Sequence, residues 1–423
     1  MNFLEELKWR NMLHDIMPGT EELLAKEVVT GYIGFDPTAD SLGIGNMVQV
    51  MTLMHFQRCG HKPMVLIGGA TGRIGDPSGK TTERTMLSIQ DIEHNLACQR
   101  KQLEKFLDFN CGKNSAVIVN NYDWFKEISF LDFIRDAGKY ISINYMLAKD
   151  SVKNRLETGM SFTEFTYQLI QGYDFYWLWK NKNVKLQLGG SDQWGNIVTG
   201  TELIRRKDGG EAFAITTQLI KKADGSKFGK SESGNIWLDA KKTSPFKMYQ
   251  FWLNVTDADA PNLIRIFSLQ NRVEIEALEA EHSQAPHLRL LQKILADEVT
   301  ARIHSPEALQ RAKETTDILF GTSFEAFKNL SPDEIEGAFD ADATYIIDPN
   351  IFSADVDVTA LLGEVTAVYT SKGEARKSIQ GNGLSINKEK VNIERKLHRT
   401  DLLHGKYLLV QKGKKNYYLL IVN

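Results

Sequence analysis

Val28-Val29-Thr30-Gly31-Tyr32-Ile33-Gly34-Phe35-Asp36 runs directly into Pro37-Thr38-Ala39-Asp40-Ser41-Leu42-Gly43-Ile44-Gly45-Asn46. The first nine residues are rich in β-branched and aromatic types and stop at Asp-Pro, which predicts a strand. The glycine-rich turn that follows precedes a helical pattern, so it offers backbone N–H groups to phosphates. Residues 63–69 repeat the design, a short β-rich run ending in glycine ahead of a helix-like stretch. Ala116–Asn120, and Lys185–Leu188 before Gly189-Gly190, add two more strands. Strands separated by long helical stretches predict an α/β fold, a Rossmann-like doubly wound parallel sheet over residues 1–217. Ligands then gather at the carboxyl ends of the strands, where these glycine turns lie.

At 423 residues the chain is long enough for two or three domains with substantial cores. Its 42% hydrophobic and 25% charged residues are ordinary for a globular protein, and a net charge of −3 gives no sign of a polyanionic partner. Cys59, Cys98 and Cys111 show no CxxC spacing, so buried or incidental thiols are expected, not a metal or disulfide framework. The N-terminus is charged and amphipathic, unlike a signal sequence, and no apolar run reaches the ~18–20 residues of a membrane span. A cytoplasmic protein with no membrane partner is expected.

Thr243-Ser244-Pro245 is a helix-start signal, and helical patterns continue to about residue 325. A predominantly α-helical domain is therefore expected over 218–325. Between Lys328 and Lys372 there is no Lys or Arg, yet nine acids occur, which reads as an acidic linker over 326–352. From Ser371 to Asn423 the sign flips to twelve Lys or Arg against four acids. Ser371-Lys372-Gly373-Glu374 fits a capping box opening a helix over Ala375–Ile379. Gly381-Asn382-Gly383 reads as a turn and Leu384–Asn387 as a strand. A charge run is commonly a solvated face, but this helix-turn-strand order with basic excess resembles a small RNA-binding module of ribosomal small-subunit type. A C-terminal α+β RNA-binding domain at 353–423 follows, with Lys372, Arg376 and Lys377 as candidate contacts.

Lys227-Phe228-Gly229-Lys230-Ser231 places two lysines three residues apart around a glycine, a loop able to fold over a triphosphate. Taken alone such a loop is common on surfaces. Gly189-Gly190-Ser191-Asp192-Gln193-Trp194-Gly195-Asn196 lets a ribose approach the backbone, and Asp192 could accept from its hydroxyls or merely cap a turn. Tyr167, Gln171 and Asp174 stand at i, i+4 and i+7, so they share one helical face. Phe162, Phe165, Leu169, Phe175 and Trp177 suggest that this helix is largely buried. A polar triple there needs partners, either an internal network or a ligand.

Taken together, these segments resemble the tyrosyl branch of the class I aminoacyl-tRNA synthetases over nearly the whole chain. The resemblance implies that Tyr32 and Asp174 take the substrate's phenolic hydroxyl. Asp76, Tyr167 and Gln171 would take its α-ammonium, with Gln193 near the carboxylate. Gly34, Asp36, Thr38, Gly43, Gly45 and Asn46 would line the ATP, joined by Gly190 and Asp192 at the ribose and by Lys227 and Lys230 at the phosphates. Asn46, Lys80, Arg84, Lys227, Lys230 and Ser231 become the candidate catalytic set. Arg205 and Arg206 match positions that meet the tRNA acceptor end. The family's first signature reads His-Ile-Gly-His, whereas here it is Gly43-Ile44-Gly45-Asn46. Gly43 has no side chain with which to donate. The resemblance further implies tyrosine–tRNA ligation, with Mg2+ arriving with ATP and no protein metal cage, tRNA(Tyr) and L-tyrosine as partners, and a homodimer. Its competitors are a tryptophan–tRNA ligase, a retired homologue that only binds RNA, and a plain nucleotidyltransferase.

Overall fold

The computed structural model describes residues 2–79, 85–149, 152–153, 159–226, 228–231, 234–321, 327–339, 343–413 and 416–423. Its contacts divide the chain into two compact units. The first comprises Met1–Gly229, Ile236–Lys242 and Val255–Val299; the second comprises Lys230–Asn235, Thr243–Asn254 and Thr300–Asn423.

The first unit is built on a six-stranded sheet. Its strands are β1 (Leu13–Ile16), β2 (Thr30–Phe35), β3 (Lys62–Ile67), β4 (Val117–Asn120), β5 (Leu186–Gly190) and β6 (Phe213–Thr217). They lie in the order β1-β6-β5-β2-β3-β4. β2 through β6 are mutually parallel, while β1 runs antiparallel along the edge. The chain leaves β2 toward β3 and β4, then returns to the other side of β2 for β5 and β6. This reversal between β2 and β5 is the switch point at which doubly wound sheets open a crevice.

The longer helices among the described residues are α1 (Met47–Arg58), α2 (Ile89–Leu103), α3 (Phe162–Lys182), α4 (Trp194–Asp208), α5 (Pro245–Leu253), α6 (Ala260–Phe267), α7 (Arg272–Gln284), α8 (Leu290–Ile303), α9 (Pro306–Phe320) and α10 (Lys372–Gln380). Residues at i, i+4 and i+7 on α3 do share one face, because Tyr167, Gln171 and Asp174 all belong to one uninterrupted helix. Ser161 caps its start by accepting from the Glu164 N–H. Phe162, expected inside, is exposed in its first turn. α3 and α4 pack closely: a Cβ on Gly172 would stand 3.2 Å from the Gly200 nitrogen, and one on Gly200 only 2.8 Å from Phe175 Cβ. Glycine at both positions is what lets the two helices approach.

In the second unit Ser244 caps α5, with Pro245 at its first position, as Thr243-Ser244-Pro245 predicted. A five-stranded sheet follows, made of β7 (Thr344–Ile347), β8 (Leu384–Ile386), β9 (Glu389–Lys390), β10 (Tyr407–Lys412) and β11 (Asn416–Val422), in the order β9-β8-β10-β11-β7. β7 comes from the acidic stretch read as linker and pairs parallel with β11. Phe352, from the same stretch, is buried in this core with Leu384, Leu408 and Leu420. α10 covers the sheet through Ala375 and Ile379. Its capping box is half made: Ser371 accepts from the Glu374 N–H, but the Glu374 carboxylate turns to the Thr370 N–H and hydroxyl. No helix among the described residues is long and apolar enough to cross a membrane.

Candidate active site

Tyr32 stands mid-strand in β2, fully buried, with its hydroxyl unpartnered among the described residues. Its ring meets Phe175 edge-on at 5.5 Å. Burial, and then the charge of Asp174, push its hydroxyl well above the ordinary phenol range. Asp174 is equally buried, but its carboxylate is held at both oxygens. Trp124 Nε1 donates to Oδ1 at 2.9 Å and Asn121 Nδ2 donates to Oδ2 at 3.0 Å. Burial raises the Asp174 carboxyl well above its ordinary range, Asn121 and Trp124 oppose this, and Asp36 adds to it. Trp124 is itself stacked on Trp177, with ring centroids 4.4 Å apart.

Asn121 joins this corner to the end of β2. Its Nδ2 also reaches Thr71 Oγ1 at 3.0 Å, and the Thr71 hydroxyl donates to Asp36 Oδ1 at 2.6 Å. The Tyr167 hydroxyl donates to Asp36 Oδ2 at 2.7 Å. Both Asp36 oxygens thus serve the protein's own network, which runs Trp124–Asp174–Asn121–Thr71–Asp36–Tyr167. Gly68 makes room for it, because a Cβ there would fall 2.1 Å from Asp36 Oδ1. Burial, followed by Asp36 and Asp76, also drives the Tyr167 hydroxyl well above the phenol range.

A second polar knot gathers around Asn196, buried near the start of α4. Its Nδ2 lies 3.1 Å from Gln171 Oε1, 3.2 Å from Gln193 Oε1 and 3.2 Å from Ser78 Oγ. Gln193 Nε2 donates to Asp76 Oδ2 at 2.6 Å, and the Ser78 N–H donates to Asp76 Oδ1 at 2.9 Å. Asp76, Gln171 and Gln193 are therefore brought together, and the charge of Asp76 acts on the Tyr167 hydroxyl. Asn121, Trp124 and Asn196 are the members that sequence reasoning missed. Asn121 directly follows a predicted strand, and Asn196 closes a quoted glycine motif, so both left a positional signal.

Gly34 is exposed near the carboxyl end of β2, where a Cβ would meet only Leu66 at 3.7 Å. Gly190 ends β5, and a Cβ there would crowd Asp192 Oδ1 at 2.5 Å. The Gly43 N–H donates to Asn46 Oδ1 at 3.1 Å. That leaves the Asn46 Nδ2 hydrogens without a partner among the described residues, on an exposed side chain. Gly43 bridges Trp237, the Ile44 N–H donates to Ile236 O at 2.8 Å, and the Leu238 N–H donates to Leu42 O at 2.9 Å. Gly229, at φ +88°, packs on the same turn: a Cβ would stand 2.8 Å from Ile44 Cγ2 and 3.3 Å from the Gly45 nitrogen. The two glycine-bearing signatures therefore touch. Lys80, Arg84 and Lys227 lie outside the described residues. Lys230 and Ser231 form a backbone hairpin with Gly234–Asn235.

A cavity of about 400 Å³ lies beside Ser191, lined among others by Met12, Val48, Leu219, Ile220 and Ile266. Asn11, His14, Gln218, Lys221 and Asn262 complete its lining with Ser191, the residue between Gly190 and Asp192. Arg205 is exposed and pairs bidentately with Glu202 at 2.8 and 2.9 Å. Arg206 also binds Glu202 and donates to Tyr140 O at 3.0 Å. Both arginines hold Glu202 below its ordinary range, Arg205 contributing most. Lys372 pairs with Glu364 at 2.7 Å, while Arg376 and Lys377 are exposed on α10. No group of three or more His, Cys, Asp or Glu among the described residues could hold a metal ion.

Residues 24–321 match the family model described as tRNA synthetases class I (W and Y), and residues 335–420 match a tyrosine–tRNA ligase SYY-like C-terminal domain. A tyrosine–tRNA ligase of Bacteroides fragilis is 59% identical over 428 residues, covering 100% of both chains. One of Cytophaga hutchinsonii is 59% identical over 425 residues, with the same coverage. Among solved structures, a C-terminally truncated mitochondrial tyrosyl-tRNA synthetase of Aspergillus nidulans superposes with a TM-score of 0.69 at 30% identity, over 75% of this chain and 94% of that one.

Proposed function

The chain belongs to the tyrosyl-tRNA synthetases of class I, and from that membership we propose the role of each residue in its site. Its reaction is the ligation of tyrosine to tRNA. Tyrosine and ATP give enzyme-bound tyrosyl-adenylate and pyrophosphate, and the 3'-terminal adenosine of tRNA(Tyr) then takes the tyrosyl group. Relatives of this identity over the full chain favour neither the tryptophan-specific nor the retired reading.

The observation that carries the residue roles is the buried, unpartnered Tyr32 hydroxyl beside the doubly held Asp174 carboxylate. A phenol entering there donates to Asp174 and accepts from Tyr32, pairing groups whose burial is otherwise costly. Asp76, Gln171 and the Tyr167 oxygen receive the α-ammonium, a cation suited to a carboxylate and neutral acceptors. Gln193, fixed on Asp76, faces the carboxylate. The ribose lies over Gly190 and Asp192, and the adenine fills the cavity beside Val48, Leu219 and Ile220. Gly34, Thr38, Gly43, Gly45 and Asn46 line the phosphates, and Asp36 supports that turn from behind through Thr71 and Tyr167.

Attack of the tyrosine carboxylate on the α-phosphate needs positioning and charge stabilisation more than a base. Lys227, Lys230 and Ser231 supply that charge and hydrogen bonding to the leaving pyrophosphate, with Lys80, Arg84 and Asn46 assisting. Magnesium enters with ATP as part of the substrate. Arg205 and Arg206 meet the acceptor end of tRNA, and Lys372, Arg376 and Lys377 meet RNA on the C-terminal module. The functional division is 1–217 for catalysis, 218–325 for the lysine loop and helices, and 353–423 for RNA, with Thr344–Ile347 and Phe352 of the acidic stretch 326–352 built into that last module's sheet and core. We place the protein in the cytoplasm, where its three free thiols would stay reduced.

A second copy of the chain is the proposed protein partner. Phe130, Leu131, Ile134, Ile143 and Phe162 are all exposed apolar residues of the first unit, and a partner would cover them. Sedimentation should show a dimer that Leu131→Asp shifts toward monomer. The decisive test of the chemistry is pyrophosphate–ATP exchange, which should require tyrosine and magnesium and should not run on tryptophan. No exchange with any standard amino acid would overturn the assignment of these roles.

A further inference from the structure

Phe228 is half-buried, with its ring 5.7 Å from that of the buried Phe267 and the planes 31° apart. Five residues earlier, the Ala223 N–H donates to Asp259 Oδ1 at 2.6 Å. Asp259 precedes α6 and Phe267 ends it, so both anchors belong to one eight-residue helix. The Thr256 hydroxyl fixes the other Asp259 oxygen at 2.6 Å. Between the anchors the chain makes a closed turn: the Lys222 N–H donates to Ser226 O at 2.9 Å, and the Ser226 N–H to Asp224 Oδ1 at 2.8 Å. Immediately after Phe228, Gly229 lies against Ile44 and Gly45.

α6 is in turn held rigidly. Arg10 is fully buried and donates to the carbonyls of Arg265, Ser268 and Gln270 around the helix's end. Arg58, the last residue of α1, donates to Leu269 O at 2.7 Å. α1 starts directly after Asn46. The first signature and the lysine loop therefore rest on one support, α1 through Arg58 and the loop through Phe228 and Ala223.

We propose that α6 is the platform that positions residues 222–226 and 228–229, which lead into the second lysine of the loop, for adenylate formation, with Phe228, Phe267 and Asp259 as positioning residues. The inference rests on the proposed role of that loop at the phosphates. Anchors on a fixed helix limit where the chain on either side of Phe228 can lie, and a misplacement of about 1 Å can cost ~10²-fold in rate.

The test is single-turnover adenylate formation in the full chain, with tyrosine affinity measured separately. Phe228→Ala and Phe267→Ala should each slow the step about tenfold or more and raise the ATP concentration needed, leaving tyrosine affinity within about twofold. Because both truncations remove the same ring contact, the loss in the double variant should be smaller than the product of the two single losses. Asp259→Ala should slow the step, whereas Asp259→Asn keeps an oxygen for Ala223 and should recover most of the rate. Unchanged rates, additive losses, or equal loss in Asp259→Asn and Asp259→Ala would overturn the proposal. Exchange by the unaltered chain, and its loss in Lys230→Ala, reports on the loop's role itself. If the unaltered chain is active but Lys230→Ala is unaffected, the underlying reading fails, and that result is distinct from failure of the platform.

Discussion

Trp124 donates its indole N–H to Asp174 Oδ1 at 2.9 Å, so one end of the pocket proposed for the amino acid is set by a residue that the substrate need not touch. With Asn121 on the other oxygen, both lone-pair directions facing the protein are filled. The carboxylate is aimed by its neighbours before any ligand arrives, which is the preorganisation that specificity requires.

Asp174 should make stability depend on pH with a definite sign. Burial raises its carboxyl well above the ordinary range in the folded chain, so the folded state binds that proton more tightly than the unfolded state does. Its contribution is fully present below the unfolded carboxylate pKa and is lost as pH rises through the raised folded value. Denaturant unfolding of the parent and Asp174→Ala, compared from pH 4 upward, should show the difference moving in favour of the variant as pH increases. A flat or reversed trend would mean that the bonds from Asn121 and Trp124 outweigh burial.

Selectivity against phenylalanine should follow from the same corner. Tyr32→Phe removes one partner of the phenol, and Asp174→Ala removes a charged one, so both should weaken tyrosine use, the second more. A lost buried partner costs about 1–3 kcal/mol, roughly 5- to 150-fold in kcat/KM. Trp124→Phe should fall between parent and Asp174→Ala, because it frees Asp174 on one side only. Tyrosine-to-phenylalanine ratios of kcat/KM that stay constant across all three would show that the pocket lies elsewhere.

Four of the six strands and the α3 face were legible in the sequence because each rests on a strong local signal, a β-rich run or a 3.6-residue period; the antiparallel edge strand Leu13–Ile16 and its neighbour Phe213–Thr217 were not read. The strands at Thr30–Phe35 and Lys62–Ile67, and the helix bearing Tyr167 and Asp174, needed nothing more. Trp124, Asn121 and Asn196 act through other side chains, and such pairings arise only when distant segments meet. Thr344–Ile347 was hidden for a different reason. Nine acids around it dominated the reading, although the four residues themselves carry no charge and fit an edge strand. Leu219 and Ile220 beside the cavity look like any apolar pair. Shape is what marks them.

Removing the C-terminal module should separate the two half-reactions, provided the cut respects the strand at 344–347. A cut at Phe352 would divide the core that Phe352 shares with Leu384 and Leu408. A chain ending at Gly321 should still form tyrosyl-adenylate within a few-fold of the parent rate. Charging of tRNA should fall by about 10² or more, and the salt dependence of tRNA binding should flatten as phosphate contacts are lost. Parallel loss of both activities would mean that residues 327–423 support the catalytic unit.

The last expectation concerns the first signature, where Gly43 replaces a side chain that donates in the family. A preorganised donor of this kind is worth about 3–4 kcal/mol, some 10²–10³-fold in rate. The Gly43 backbone is extended, at φ −88°, and a Cβ there would find only ordinary contacts, 3.5 Å from Ile236 O and 3.7 Å from Asn46 Oδ1. A Cβ therefore fits without moving the bridge to Trp237. Asn46 is differently placed: its oxygen is tied to the Gly43 N–H, so its amide hydrogens are turned outward to donate. Gly43→His should raise the single-turnover rate of adenylate formation at saturating ATP, with tyrosine affinity nearly unchanged. Asn46→Ala should lower the rate twice over, losing both the donor and the bond that shapes the turn. In Gly43→His, Asn46→Ala should still be harmful, since the two groups address the phosphates separately. A Gly43→His chain no faster than the parent would show that another donor already serves that position. The signature would then have been rebuilt around glycine, with nothing left for the histidine to restore.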